Sequence, residues 1–191
     1  MNNNYYCIIM AGGMGRRFWP YSRKNLPKQF LDFFGTGQTL LQQTFDRYKQ
    51  IIPPTNIYIT THKDYKQLVC ELLPELPEEQ LIVEEERRNT APSIAYASHI
   101  IQQVNPNATI VVAPSDHLIL KFEEFKEAIL KGLDFASKND ILVTLGIKPN
   151  RPDTGYGYIQ IDEEKEGDFY KVKTFIEKPA REFAEIFIQS D

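Results

Sequence analysis

The chain has 191 residues, 42% hydrophobic and 25% charged, with a formal net charge of −4. That size and balance predict one compact domain, with roughly 70% of the unfolded chain's surface buried on folding. An acidic total argues against a general nucleic-acid binder, no apolar run reaches the ~20 residues of a membrane span, and two cysteines make no disulfide framework.

The N-terminus, Met1-Asn2-Asn3-Asn4, lacks the basic region of a signal peptide, and a cytoplasmic protein is expected. Tyr5 to Met10 is an apolar run that predicts a short buried strand carrying Cys7. The stretch Ala11 to Phe30, AGGMGRRFWPYSRKNLPKQF, follows it. Gly12, Gly13 and Gly15 remove side chains, so backbone N–H groups can approach a ligand and form a concave anion site. Arg16, Arg17, Arg23, Lys24 and Lys28 fall in the same stretch, with no Asp or Glu. Bare donors among cations at a strand end suit a polyphosphate; a solvated basic loop is the plain alternative. The dinucleotide fingerprint is excluded because Phe18 stands where its third glycine belongs, and a Walker loop because no Gly-Lys-Ser/Thr occurs.

Thr39-Leu40-Leu41-Gln42 reads as a capping box opening a helix to about Ile51, stopped by Pro53 and Pro54. Asn56 to Thr61 alternates like a strand, and Lys63 to Leu73 predicts a second helix with Cys70 on its apolar face, a reduced core residue like Cys7. Leu81 to Val83 is a short strand running into charged residues. Thr90 is placed to cap the next helix, with Pro92 in its first turn. Thr109 to Ala113 reads as a buried parallel strand, Phe122 to Ser137 as a helix and Ile141 to Leu145 as a fifth strand. The alternation predicts an α/β three-layer sandwich around a doubly wound, mostly parallel sheet. After Gly155 the pattern turns strand-rich, a meander attached to that sheet, before a last helix from Ala180 to Gln189.

Ligands of open α/β sheets bind beyond the carboxyl ends of the strands. Gly12 to Lys28, Glu84 to Thr90, Pro114 to His117 and Gly146 are all expected there. Asp116, just past the fourth strand, suits Mg²⁺ held against a triphosphate, or equally an N-cap for the next turn. His117 is better suited to packing than to a hard cation, and His62 and His99 receive no role. In Glu84 to Pro92 a carboxylate and an amide suit the donors and acceptor of guanine, while the same residues suit an ordinary helix N-terminus.

The spacing of Gly12, Gly13, Gly15, Arg17, Pro20, Pro27 and Lys28 resembles the signature of the sugar-nucleotide pyrophosphorylases, which join a sugar 1-phosphate to a nucleoside triphosphate. Arg16 and Phe18 depart from it, standing where Thr and Leu are usual. Trp19-Pro20 and Pro27-Lys28-Gln29-Phe30 are similar to the branch that makes GDP-mannose. Further along, Glu84 with Arg88-Asn89-Thr90-Ala91-Pro92 matches the family, with Glu85 in place of a usual Pro. Pro114-Ser115-Asp116-His117, Gly146-Ile147-Lys148-Pro149 with Thr154 to Ile159, and Phe175-Ile176-Glu177-Lys178-Pro179 complete the likeness.

The resemblance implies the Rossmann-like nucleotidyltransferase fold over residues 1–191, with GTP and mannose 1-phosphate as partners, and neither nucleic acid nor membrane. It implies catalytic roles for Arg17, Lys28 and Lys178, and Mg²⁺ on Asp116. Nucleotide contacts fall on Ala11, Gly12, Gly13, Gly15, Glu84, Arg88, Asn89 and Asp116. Sugar contacts fall on Gly146, Gly157, Glu177 and Lys178. Family members continue past the Glu-Lys-Pro motif with a second metal-binding Asp and a C-terminal β-helical domain, so the chain reads as an N-terminal fragment. A homodimer is one arrangement open to the full-length protein. Two alternatives stand beside this reading: a sister enzyme with another sugar and base, and a non-catalytic nucleotide-binding domain.

Overall fold

The computed structural model describes residues 1–15 and 18–189. Two compact units follow one another along the chain, Met1–Val143 and Thr144–Asp191. The first is built on a four-stranded sheet: β1 (Tyr5–Met10), β2 (Ile57–His62), β3 (Leu81–Glu84) and β4 (Thr109–Pro114), in the order β3-β2-β1-β4. All three pairings are parallel, with Cys7 opposite both Ile57 and Val111 and Ile59 opposite Leu81.

Strand side chains alternate between faces, and here both faces are covered. Tyr5, Cys7 and Ile9 pack with Ile57 and Ile59 against Leu41, Phe45 and Tyr48 of α1 (Leu40–Lys49), Val69 of α2 (Lys66–Leu72) and Leu133 of α4 (Phe122–Lys138). Tyr6 and Ile8 pack with Tyr58 and Ile82 against Ala97 and Ile101 of α3 (Thr90–Val104) on the other side. Helices on both faces of a parallel sheet make the expected three-layer α/β sandwich. Ile8, Ile9, Ile57 and Ile59 are completely buried, each contributing roughly 1.5–3 kcal/mol of transfer free energy. Burial also pushes the Cys7 thiol well above its ordinary pKa.

The capping box forms as predicted. The Gln42 N–H donates to Thr39 Oγ1 at 3.3 Å, and the Thr39 N–H donates to Gln42 Oε1 at 2.9 Å. Thr39→Ala breaks the first of these and is expected to lower unfolding free energy by about 1 kcal/mol, seen as a fall of a few degrees in melting temperature.

The structure corrects several expectations. Ile141 to Leu145 is not a strand: it belongs to no ladder among the described residues, and Leu142 is fully exposed. An apolar, β-branched run has strand propensity, but only pairing and packing turn that into a strand. The TIVVA run of β4 is consequently a sheet edge, half-buried rather than enclosed. Cys70 is exposed, because α2 is a short helix that turns Val69 inward instead. Thr90 is the first helical residue and not the cap; Asn89 takes that place with φ +66° and no side-chain capping bond.

The second unit holds a two-stranded antiparallel sheet, β5 (Tyr158–Glu166) with β6 (Phe169–Ile176), and the helix α5 (Arg181–Gln189). The hairpin forms a separate sheet rather than a meander hydrogen-bonded to the first, because its strands satisfy one another antiparallel. No helix among the described residues is long and apolar enough to cross a membrane.

Candidate functional site

The order of strands reverses between β1 and β4, since β2 and β3 lie on one side of β1 and β4 on the other. The carboxyl ends of β1 and β4 therefore border the crevice where such sheets take ligands. Three sequence-predicted stretches meet around it. The glycine turn leaves β1 at Ala11, which is buried and whose N–H donates to Thr60 O at 2.8 Å. β4 is tied to β1 beside it, as Ser115 Oγ donates to Met10 O at 2.7 Å. That bond places Asp116 against the turn.

Lys28 and Asp116 then form an ion pair, Nζ to Oδ2, with side chains 27% and 20% exposed. The Lys28 ammonium also lies 5.3 Å from the centre of the Phe18 ring. His117 Nε2 is 3.9 Å from the other Asp116 oxygen. A carboxylate already holding a cation, with a hydrogen-bonded strand end behind it, is a suitable single protein ligand for Mg²⁺. That ion usually takes one or two protein carboxylates and completes its shell with phosphate and water. Among the described residues no cluster of three or more His, Cys, Asp or Glu offers a fuller cage.

Each glycine of the turn has a separate reason. Gly15 is left-handed, φ +61°, and a Cβ there would lie 2.9 Å from the Lys28 backbone nitrogen. Its carbonyl accepts from Ser22 Oγ at 2.5 Å. Gly12 faces Glu84, whose Oε2 would be 3.7 Å from an added Cβ. A Cβ on Gly13 would meet nothing within 4 Å, so the chain's own packing does not demand that glycine. Open space above a bare backbone is the room a ligand needs. Arg17, expected to carry charge here, lies outside the described residues, as does Arg16.

Glu84 ends β3 opposite His62 and is brought to the glycine turn. The following loop is braced by charges. Lys63 pairs with Glu85 at 2.8 Å and Arg87 with Asp64 at 3.2 Å, while Arg88 pairs with Glu86 at 2.9 Å. Arg87 lies over the Tyr65 ring at 5.2 Å, and the Tyr65 hydroxyl donates to Lys24 O at 3.1 Å. Buried Tyr65 thus anchors both the cationic loop and the loop after β3, a role with no sequence signal. His62 is buried too: its Nδ1 accepts from the Asp64 N–H at 3.2 Å. Arg88, by contrast, is 72% exposed and pairs with Glu86, two residues before it.

In the second unit, Gly157 and Glu177 come together. A Cβ on Gly157 would lie 3.1 Å from Glu177 Oε2 and 2.6 Å from the Phe175 ring. Lys178 pairs with Glu177. Gly146 follows no strand, contrary to expectation, and a Cβ on it would meet nothing within 4 Å. Among the described residues only Asn89 and Lys178 combine a side chain with positive φ, +66° and +44°. Such conformations cost of order 1–3 kcal/mol and concentrate where function requires them. Both residues belong to the predicted site.

A nucleotidyl transferase family model matches residues 6–190. A mannose-1-phosphate guanylyltransferase of Escherichia coli is 37% identical over 192 aligned positions, which cover 96% of this chain and 41% of that protein. Its counterpart in Klebsiella pneumoniae is 38% identical, with 96% of this chain and 39% of that protein covered. The chain thus spans about two fifths of the length of these relatives. A crystal structure described as mannose-1-phosphate geranyltransferase from Thermus thermophilus superposes with a TM-score of 0.86 at 33% identity, covering 97% of this chain and 53% of the other.

Proposed function

This chain belongs to the nucleotidyl transferase family, and from that premise we propose that it serves the reaction of mannose 1-phosphate with GTP to give GDP-mannose and pyrophosphate. The observation that carries the reading is the Lys28–Asp116 pair beside the glycine turn, at the point where the strand order reverses. It brings a cation, a carboxylate and bare backbone to one edge, a combination suited to a triphosphate.

In this reaction a phosphate oxygen of the sugar phosphate attacks the α-phosphorus of GTP. A new P–O bond forms, and the bond between the α-phosphorus and its bridging oxygen breaks as pyrophosphate leaves. The attacking monoester is already anionic, so no general base is needed. Rate comes from alignment and from neutralising charge. Lys28 and Arg17 hold the triphosphate and the departing pyrophosphate. The backbone from Gly12 to Gly15 binds phosphate oxygens, with Ala11 as its anchor because its own N–H is held by Thr60 O. Glu84, Arg88 and Asn89 read the base. Lys178 holds the attacking phosphate, while Glu177, Gly146 and Gly157 bind the sugar. Asp116 would hold Mg²⁺, which would supply charge stabilisation at the α-phosphate. A cytoplasmic setting fits such substrates.

The test is calorimetry with Mg²⁺ and GTP, repeated with dTTP, followed by pyrophosphate release with mannose 1-phosphate and with glucose 1-phosphate. Tighter GTP binding and selective use of mannose 1-phosphate are expected. A preference for dTTP and glucose 1-phosphate would move the chain to a sister activity, and failure to bind either nucleotide would overturn the transferase reading. Lys178→Ala is expected to raise the Michaelis constant for mannose 1-phosphate with less change for GTP, measured by initial rates with each substrate varied in turn.

A further inference from the structure

Gln29 lies in the 3-10 turn Lys28–Phe30 and is only 1% exposed. Its Nε2 donates to Ala11 O at 2.9 Å and to Gly13 O at 2.8 Å. Thr61 Oγ1 adds a bond of 3.2 Å to Ala11 O. We propose that Gln29 is the positioning residue of the glycine turn, drawing two carbonyls inward so that the turn presents its N–H groups to an anion. The physical basis is the flatness of the peptide. In a trans peptide the carbonyl of one residue and the N–H of the next point in opposite directions. Holding Ala11 O on the Gln29 side therefore directs the Gly12 N–H to the opposite side, and holding Gly13 O there fixes the peptide that closes the turn.

A second observation separates positioning from plain packing. Gln29 Oε1 is buried and has no hydrogen-bond partner among the described residues. The unpaired Oε1 works against folding, and the amide is retained for its Nε2 bonds, which supply donors to two backbone carbonyls that an apolar side chain would leave without them. An amide at this place is thus a poor filler of space and a good clasp. Glycine lacks the side chain that would otherwise bias the turn, so without the clasp Gly12 and Gly13 have many conformations open to them.

The inference deepens the proposed function and rests on it for the identity of the anion. The test compares the parent chain with Gln29→Met by thermal melting, by calorimetry with Mg²⁺ and GTP and with inorganic tripolyphosphate, and by amide NMR of Gly12, Gly13 and Met14. The Met variant is expected to melt a few degrees below the parent, because Gly13 O loses its donor, to bind both anions about 10- to 100-fold more weakly, the scale of one or two lost hydrogen bonds, and to shift those three amides without ligand. Unchanged anion affinity and unchanged amides would overturn the proposal. So would a fall in affinity with the three amides unshifted in the folded variant, which would make Gln29 merely structural. If the parent binds tripolyphosphate but not GTP, the nucleotide reading fails while the clasp is still decided by the tripolyphosphate data. If the parent binds neither anion, the donor-presenting role falls with it.

Discussion

Lys28→Ala is expected to lower turnover by roughly 10²–10³-fold while leaving melting temperature close to that of the parent. The two effects separate because the side chain has different partners in the two contexts. In folding, Lys28 makes a partly exposed ion pair with Asp116 and a cation–π contact with Phe18. Pairs of that exposure contribute about 0–1 kcal/mol in solvent. In the proposed reaction the same ammonium faces charge building on a departing pyrophosphate, in a site from which the substrate displaces water. Lys28→Arg should not restore full rate, since a planar guanidinium does not replace a compact ammonium at one geometry. Pyrophosphate release under saturating substrates, beside a thermal melt, measures both quantities. Near-parental turnover in Lys28→Ala would show that the turn is not part of the chemistry.

Gly15→Ala should be the most damaging single methyl group in the turn, and Gly13→Ala the informative contrast. At Gly15 the backbone is left-handed, which costs about 1–2 kcal/mol for an ordinary residue. The new Cβ would also lie 2.9 Å from the Lys28 nitrogen and 3.3 Å from Lys28 Cγ. A backbone atom cannot swing aside, so the segment carrying Lys28 and Gln29 must move. Gly15→Ala is therefore expected to lower stability and nucleotide affinity together. At Gly13 a Cβ meets nothing within 4 Å, so Gly13→Ala should fold as well as the parent yet bind GTP more weakly, because the methyl enters the space proposed for phosphate. Thermal melts and GTP calorimetry on the two variants decide it. Equal affinity in Gly13→Ala and the parent would mean that the open side of the turn is not the ligand side.

Much of the fold is legible in the residues alone, and for a local reason. A strand such as Tyr5–Met10, a helix opened by the Thr39–Gln42 box, and proline stops are encoded by residues within a few positions of one another. Regular alternation of strands and helices then implies a parallel sheet, and the right-handed crossover brings successive strand ends to one edge. The meeting of the glycine turn with Glu84 and Asp116 follows from that geometry alone.

What the sequence could not decide depends on partners distant along the chain. Ile141 to Leu145 has the residues of a strand but joins no ladder among the described residues. Asn89 rather than Thr90 became the cap because the loop before it is held by Lys63, Asp64 and Tyr65, which impose a backbone path that helix propensity does not encode. Gln29 carried no motif beyond its place after Pro27-Lys28, and its clasp on Ala11 and Gly13 exists only because the chain folds back on itself there. Sequence by itself determined the four strands of the parallel sheet, its helices and the edge at which they converge, since these arise from local periodicity and chain chirality. Tertiary structure alone decided which side chains pin the turn, which are exposed and which strand has a neighbour, because each depends on close contact between residues that the sequence keeps apart.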